Sequence, residues 1–377
     1  MSYGIVSSIF DLKRFHPGVN RWRSVERYIK MFKYVNELNV DTVLFIEPHL
    51  IPRFNEVIKP SRNNLVIIPY KLEDLPLYKK IKDLNDLHPV INGKHVDKYF
   101  TSVINSKFYL VDLAREHIQH SHLIWLDSGI AHIGTIPKEQ FYEDVKLNIH
   151  PDNITIVLMK AIHGGEISNL KSHLQLSLGK IAAGIAIIPT TMVTWYAREI
   201  NEIFNLAVFE AKVMCYEEQL MAVVLAKYPN KFKFIYGDYG SIFKNMRHIT
   251  IDLSTVINNL AYCRECSLNV IAYDIIIKLI ASIGQANNKI IYHQFHEFCY
   301  NAQIVCYYMD KPLSTYFSYL IGFLYYNTPE GNEYFKSKYD HIKENIKFVD
   351  IDLDNDELFT ESRISDIDTY NILWSII

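Results

Sequence analysis

A surplus of charge is the first thing this chain lacks. Its 377 residues carry 39 basic and 42 acidic side chains, a formal net charge of −3. That balance gives no electrostatic footprint for nucleic acid or an anionic membrane. The start, Met1-Ser-Tyr-Gly-Ile-Val-Ser-Ser-Ile-Phe10, has neither a charged opening nor a long apolar run, and predicts a first strand rather than a signal peptide. No apolar segment reaches bilayer-spanning length. Cysteine is scarce, and the odd count of five suits a reducing compartment better than a disulfide framework. Cys263-Arg-Glu-Cys266 has zinc-like spacing, but Cys299 and Cys306 lie seven apart and all four fall in helix-like sequence. Buried thiols are therefore expected rather than a metal site. Three phosphate and nucleophile motifs are also missing: a Gly-Lys-Ser loop, a Gly-x-Gly-x-x-Gly turn after the first strand, and a Gly-x-Ser-x-Gly elbow. Nucleotide hydrolysis, dinucleotide binding and ester hydrolysis lose support. A two-metal hydrolase loses it too, since no His/Asp cluster has the spacing.

What is present is a large core. The chain is 49% hydrophobic and 21% charged, as in globular proteins of two or three domains. The 26 Tyr and 20 Phe suit core packing first and sugar stacking second. Up to about residue 250 the pattern alternates. Strands are expected at Gly4–Phe10, Asp41–Glu47, Asn64–Tyr70, Leu123–Asp127, Ile154–Lys160, Ile181–Pro189 and Phe232–Gly237. Helices are expected at Arg23–Leu38, Asp97–Gln119, Thr191–Phe209 (capped by Thr190 or Thr191) and Glu217–Lys227. Such alternation implies a mostly parallel sheet with helices on both faces. From residue 251 to 349 only helical patterns remain, at Ser254–Gln285, Lys289–Met309, Leu313–Tyr326 and Glu330–Ile346, which predict an all-α domain of antiparallel hairpins. Residues 350–377 form an acidic tail with an apolar end. Acids from Asp350 to Glu361 partly match a calcium loop, but Asn355 replaces the turn glycine and Glu357 stands where an apolar residue belongs, so calcium binding is not expected.

The most informative stretch is His122-Leu-Ile-Trp-Leu-Asp-Ser-Gly-Ile-Ala-His132. Four apolar residues suit a buried strand, and Asp127 sits where it should end, followed by small Ser128 and Gly129. Ligands of open α/β sheets bind beyond the carboxyl ends of strands. A carboxylate there can hold a divalent cation, and a cation can hold a diphosphate. Three other segments are ambiguous. His163-Gly-Gly-Glu166 offers close backbone approach with an acid and a base, or only a turn. Small residues around Gly184 admit a flat ligand, or pack a helix on the sheet. Tyr216-Glu-Glu-Gln219 opens a helix, where early acids favour the dipole; one of them, Glu218 by preference, would face a site.

Taken in order, these pieces resemble the HtrL/YibB-type glycosyltransferases, which include WlaTC-like enzymes of bacterial surface-glycan loci and relatives in large DNA viruses. The resemblance covers about residues 3–250. It rests on Ile5-Val-Ser-Ser-Ile-Phe-Asp11 with Arg14, Arg23-Ser-x-Glu-Arg-Tyr28, Val43-Leu-Phe-Ile-Glu47 and Ser106-Lys-Phe-Tyr-Leu110. It continues through Trp125-Leu-Asp-Ser-Gly-Ile130, Ala183-Gly-Ile-Ala-Ile187, Glu217-Glu-Gln219 and Tyr236-Gly-Asp-Tyr239. Trp-x-Asp-x-Gly is the most specific of these; the helical region is not covered.

The resemblance implies a GT-A-like fold, a nucleotide-sugar donor such as a UDP-hexose, a glycan or protein acceptor, and Mn²⁺ or Mg²⁺. It implies Asp127 as metal ligand, with His132, Asp238 or His248 completing the set, because Gly129 replaces the second acid of the usual Asp-x-Asp. It places Arg14 and Lys107 on the diphosphate, Asp11 on the base or ribose, and Ser128, Gly129 and Gly184 beside the donor. Glu166 or Glu218 would activate the acceptor hydroxyl. The expected location is cytoplasmic, in a host cell for a viral protein. The competing expectations are a nucleotide-sugar-binding protein without turnover and a scaffold whose helical region recruits a partner or a second copy.

Overall fold

The computed structural model describes residues 2–15, 24–58, 64–87, 90–91, 94–95, 97–160, 162, 168–176, 179–237 and 239–247, and beyond these 257, 259–261, 263–264, 269–283, 292–309, 314 and 317. The chain divides into two units, Met1–Arg247 and His248–Ile377.

In the first unit the elements are, in chain order, β1 (Tyr3–Ile9), α1 (Val25–Glu37), β2 (Thr42–Ile46), α2 (Ile51–Ile58), β3 (Leu65–Pro69), α3 (Pro76–Ile81), a short pair β4 (Val90–Ile91) and β5 (Lys94–His95), α4 (Lys98–Asn105) and α5 (Lys107–Ala114). There follow β6 (His122–Leu126), α6 (Lys138–Asn148), β7 (Ile154–Leu158), α7 (Leu170–Gln175), β8 (Ile181–Pro189), α8 (Val193–Asn205), α9 (Glu217–Lys227), β9 (Phe232–Tyr236) and α10 (Ile242–Asn245). Seven strands make one sheet in the order β3-β2-β1-β6-β8-β7-β9. All neighbouring pairs are parallel except those of β8, which runs antiparallel to β6 and to β7.

Side chains alternate across each strand, so the sheet has two apolar faces. On one, Ile5 and Ile9 of β1, Leu44 and Ile46 of β2, and Ile124 and Leu126 of β6 pack with Ile29, Phe32 and Val35 of α1, Phe54 of α2, Phe141 and Val145 of α6, and Phe243 of α10. On the other lies α5, whose Lys107 sits over the Trp125 ring and whose Phe108 meets Tyr196 of α8, ring centroids 4.6 Å apart. The sheet is thus covered on both sides, as its uninterrupted apolar runs require.

The structure differs from the sequence pattern in identifiable places. The helix expected over Asp97–Gln119 is two helices. Asp97 caps the first through Tyr99 N and Phe100 N. The side chains of Ser102, Asn105 and Ser106 then bond back to carbonyls four residues earlier, which competes with the backbone ladder. The helix resets at Ser106 and Lys107 opens α5. The helix expected from Thr191 starts at Val193 after a 3₁₀ turn (Thr190–Met192). Its N-cap, Met192, makes no side-chain cap bond. Thr190 is not the cap, because its hydroxyl is spent on the His120 carbonyl. The same helix ends in a π-turn, Leu206–Glu210. Helices α2, α3, α6, α7 and α10 and the β4–β5 pair had no counterpart in the expected pattern.

In the second unit the described helices are α11 (Asn269–Ile283) and α12 (Tyr292–Tyr308). Cys263, Cys299 and Cys306 are buried, as is Cys215 of the first unit. Cys266, most of the two further helices expected there, and the whole acidic tail lie outside the described residues. No helix among the described residues is long and apolar enough to cross a membrane.

Phe32 is fully buried, 5.4 Å from the Phe54 ring, at the centre of the α1–α2 packing. Phe32→Ala is expected to cost about 3–5 kcal/mol, measured by denaturant unfolding.

Candidate functional site

Strands β1, β2 and β6 are mutually parallel in register, with Ile9 beside Ile46 and Val6 beside Trp125. Their carboxyl ends therefore deliver Phe10 and Asp11, Glu47, and Asp127 to one edge of the sheet. A cavity of about 300 Å³ opens at the β1 and β6 ends. Asp127, Glu217 and Lys107 line it, with Ser128, Gly129 and His132; Phe10, Tyr28, Phe100, Trp125 and Tyr239 give it aromatic walls. Its volume lies at the lower end of small-molecule sites.

The Trp-x-Asp-x-Gly motif can be read residue by residue. Positions two apart on an extended chain share a face, and Trp125 Nε1 donates to Asp127 Oδ1 at 2.7 Å. The Asp127 amide donates to Gly184 O at 3.0 Å, which ties the strand end to β8. A Cβ at Gly129 would lie 2.8 Å from the Tyr28 ring, and one at Gly184 would lie 3.1 Å from Ile130 Cδ1 and 3.8 Å from Asp127 Oδ2. Gly129 therefore keeps the cavity wall low, whereas Gly184, expected beside the donor, is not among the lining residues and instead lets β8 pack close to Ile130 and Asp127.

Lys107 is buried, its side chain only 6% exposed. Its Nζ lies 3.0 Å from Asp127 Oδ1, 2.7 Å from Glu217 Oε1 and 3.0 Å from Ala183 O. Burial works against the ammonium, but the Asp127 and Glu217 carboxylates outweigh it and hold the lysine above its usual range. Asp127 is 32% exposed and Glu217 12%. Glu218, preferred from sequence, is not among the lining residues. The helix begins at Glu217 after Tyr216, and one residue is a turn of about 100°, so the acid that meets Lys107 is Glu217. Its signal in the sequence was the Glu-Glu pair, which leaves the helix phase undecided.

His132 Nδ1 lies 2.5 Å from Gly129 O. A carbonyl only accepts, so Nδ1 carries the proton, and Nε2 lies 3.5 Å from the Tyr239 hydroxyl.

Asp11 and Arg14 belong to a neighbouring cluster at the β1 and β2 ends. The Asp11 amide donates to Glu47 Oε2 at 2.6 Å, and its carboxylate caps Lys13 N and faces His49 at 3.7 Å. Arg14 reaches Glu47 Oε1 and Glu73 Oε2, each at 2.6 Å. Arg14 therefore faces two carboxylates rather than the cavity. Burial pushes the Glu47 carboxyl up, only partly opposed by the Asp11 amide and Arg14. Glu166, Asp238 and His248 lie outside the described residues.

Among the described residues no group of three or more His, Cys, Asp or Glu side chains could by itself hold a metal ion. One carboxylate oxygen, Asp127 Oδ2, and one imidazole, His132, are the donors the loop offers. Mg²⁺-type sites commonly combine one or two carboxylates with substrate phosphates and water. The donor set therefore fits a cation that shares its ligands with a bound phosphate.

No family model and no curated protein matches the chain. Solved structures similar to it in part include a xylosyltransferase and a synthase. Mouse xyloside xylosyltransferase 1 in its apo form has a TM-score of 0.37 at 10% identity, over 67% of this chain and 95% of that one. The 4-diphosphocytidyl-2C-methyl-D-erythritol synthase of Anaerococcus prevotii has a TM-score of 0.29 at 7% identity, over 61% and 96%. Scores this low leave the class to the chain's own architecture. That is an α/β unit with a mixed, mostly parallel seven-stranded sheet with one antiparallel member, helices on both faces, and an acid at the end of its central β6 strand.

Gly129→Ala must displace the Tyr28 ring. The expected loss is about 1–3 kcal/mol, as for other overpacked sites, with a narrowed cavity; chemical unfolding and a variant structure check both.

Proposed function

We propose that the protein transfers a sugar from a nucleotide-diphosphate donor, a UDP-hexose by preference, to a hydroxyl of a glycan or protein acceptor. The observation that carries this reading is the pairing of Asp127 and Glu217 on one aromatic-walled cavity at the carboxyl end of β6. Carboxylate oxygens accept from sugar hydroxyls, and aromatic faces suit the apolar faces of a pyranose. The resemblance to HtrL/YibB-type glycosyltransferases supports the same reading.

In the reaction, the acceptor oxygen forms a bond to the sugar C1 while the bond from C1 to the diphosphate oxygen breaks. Glu217 takes the acceptor hydroxyl proton, a role a positioned carboxylate can fill. Asp127 holds the donor end of the site. Lys107, Asp127 and Glu217 together carry a fixed charge of −1, so a diphosphate needs further compensation. Asp127 and His132 would hold a Mn²⁺ or Mg²⁺ ion, which offsets the charge developing on the leaving diphosphate.

A second reading is favoured by one feature: Gly129 stands where a second acid is usual. On that reading the site binds the donor without turnover.

Asp127→Asn and Glu217→Gln are each expected to lower transfer by about 10²–10⁴-fold, with the fold intact by circular dichroism. UDP with Mn²⁺ should raise the melting temperature of the native protein. Donor binding without transfer or hydrolysis would establish the second reading; full activity in a folded Asp127→Asn protein would remove Asp127 from the chemistry.

A further inference from the structure

Lys107 sits in an unfavourable place for a cation. It opens helix α5, where the macrodipole disfavours positive charge, and it is buried away from water. Its neighbours account for its presence. An ammonium has three N–H bonds. Three protein acceptors surround this one: Ala183 O of β8, Asp127 Oδ1 after β6, and Glu217 Oε1 at the start of α9. Asp127 Oδ1 also takes the Trp125 indole proton. Each carboxylate therefore has one oxygen held, and both residues line the cavity.

We infer that Lys107 is a positioning residue: it makes no contact with the donor, and it fixes the two carboxylates so that each turns one oxygen to the same substrate. This deepens the glycosyltransferase reading above and rests on it for the identity of that substrate. It departs from the expectation that Lys107 grips the diphosphate, because the ammonium already donates to Ala183 O and Glu217 Oε1 and pairs with Asp127 Oδ1 at 3.0 Å. One ammonium within 3.0 Å of both acids also lets two like charges stand side by side. Without it they repel, and the side chains turn apart. A neutral side chain of similar length would keep the volume and lose this aim.

The test compares the native protein, Lys107→Met, Lys107→Arg, the double variant Asp127→Asn/Glu217→Gln, and the triple variant that adds Lys107→Met. Donor turnover and thermal unfolding are measured on each full-length protein with UDP-glucose as probe. Lys107→Met is expected to lower kcat about a hundredfold, as misaimed groups do. The donor KM should stay within about threefold, since no ground-state contact is lost. Lys107→Arg, which keeps a cation able to meet two carboxylates, should recover part of kcat. If Lys107→Met does not fold, Lys107→Arg gives the kcat and KM comparison. In the double variant the lysine has no charges left to aim, so the triple variant should be no slower.

A KM raised about tenfold with kcat unchanged would mean direct donor binding and would overturn the inference. So would an equal loss of kcat from Lys107→Met in both backgrounds. If the native protein turns over no nucleotide sugar tried, the functional reading falls separately, and unfolding decides the inference. Lys107→Met should lower Tm by about 5 °C or more in the native background, where it leaves two partly buried acids unpaired, and by much less in the double variant. Equal losses would overturn the coupling.

Discussion

The ammonium of Lys107 is the constraint on which the site depends. It joins three stretches of chain far apart in sequence: α5, which carries it; the β6 end with Asp127; and the α9 start with Glu217. The Ala183 carbonyl of β8 closes the set. None of these groups is comfortable alone. A buried lysine needs acceptors, a buried acid needs a donor, and a strand carbonyl at a sheet irregularity needs an N–H. Together they satisfy one another, and both acids line the cavity. The desolvation that makes the arrangement costly is also what makes it rigid.

The surrounding motif follows from the same requirement. Trp125 is two residues before Asp127 because that spacing on a strand lets the indole reach the carboxylate. Gly129 is where it is because Tyr28 leaves no room for a Cβ, and Gly184 lets β8 pass under the acid. The register break between Ile156 and Val157, where β7 pairs with β8 near Ala182 and Ala186, lies beside the same stretch of β8. A bulge there is a common way to redirect a strand next to a site. The sheet contributes direction: three parallel strands end together, so residues from three parts of the chain meet at one edge.

The parts of this legible in the sequence were those set by local pattern. Ile181–Pro189 and Glu217–Lys227 were bounded correctly because an apolar run between clear breaks leaves little choice. Asp127 was recognisable because an acid after four buried residues has only the strand end to occupy. The split at Ser106 was not legible: serine and asparagine are tolerated in helices, and only their back-bonds to Lys98, Thr101 and Ser102 show the ladder yielding. Nor was the direction of β8, since a nine-residue apolar strand reads alike both ways. Arg14 looked like a phosphate ligand because its carboxylate partners, Glu47 and Glu73, lie 33 and 59 residues away.

Local sequence determined the kind of chain this is: an alternating α/β unit, a helical unit after it, an acid at a strand end, and a small-residue loop beyond. Those features depend on spacing of a few residues, where sterics and burial act without long-range information. Only the tertiary structure decided which charges meet. Lys107 could have faced a ligand or the core, and the sequence favoured Glu218 over Glu217 until α9 was placed against β8. An ion pair between distant segments is chosen by packing, because the energy of a buried charge depends on every group brought near it.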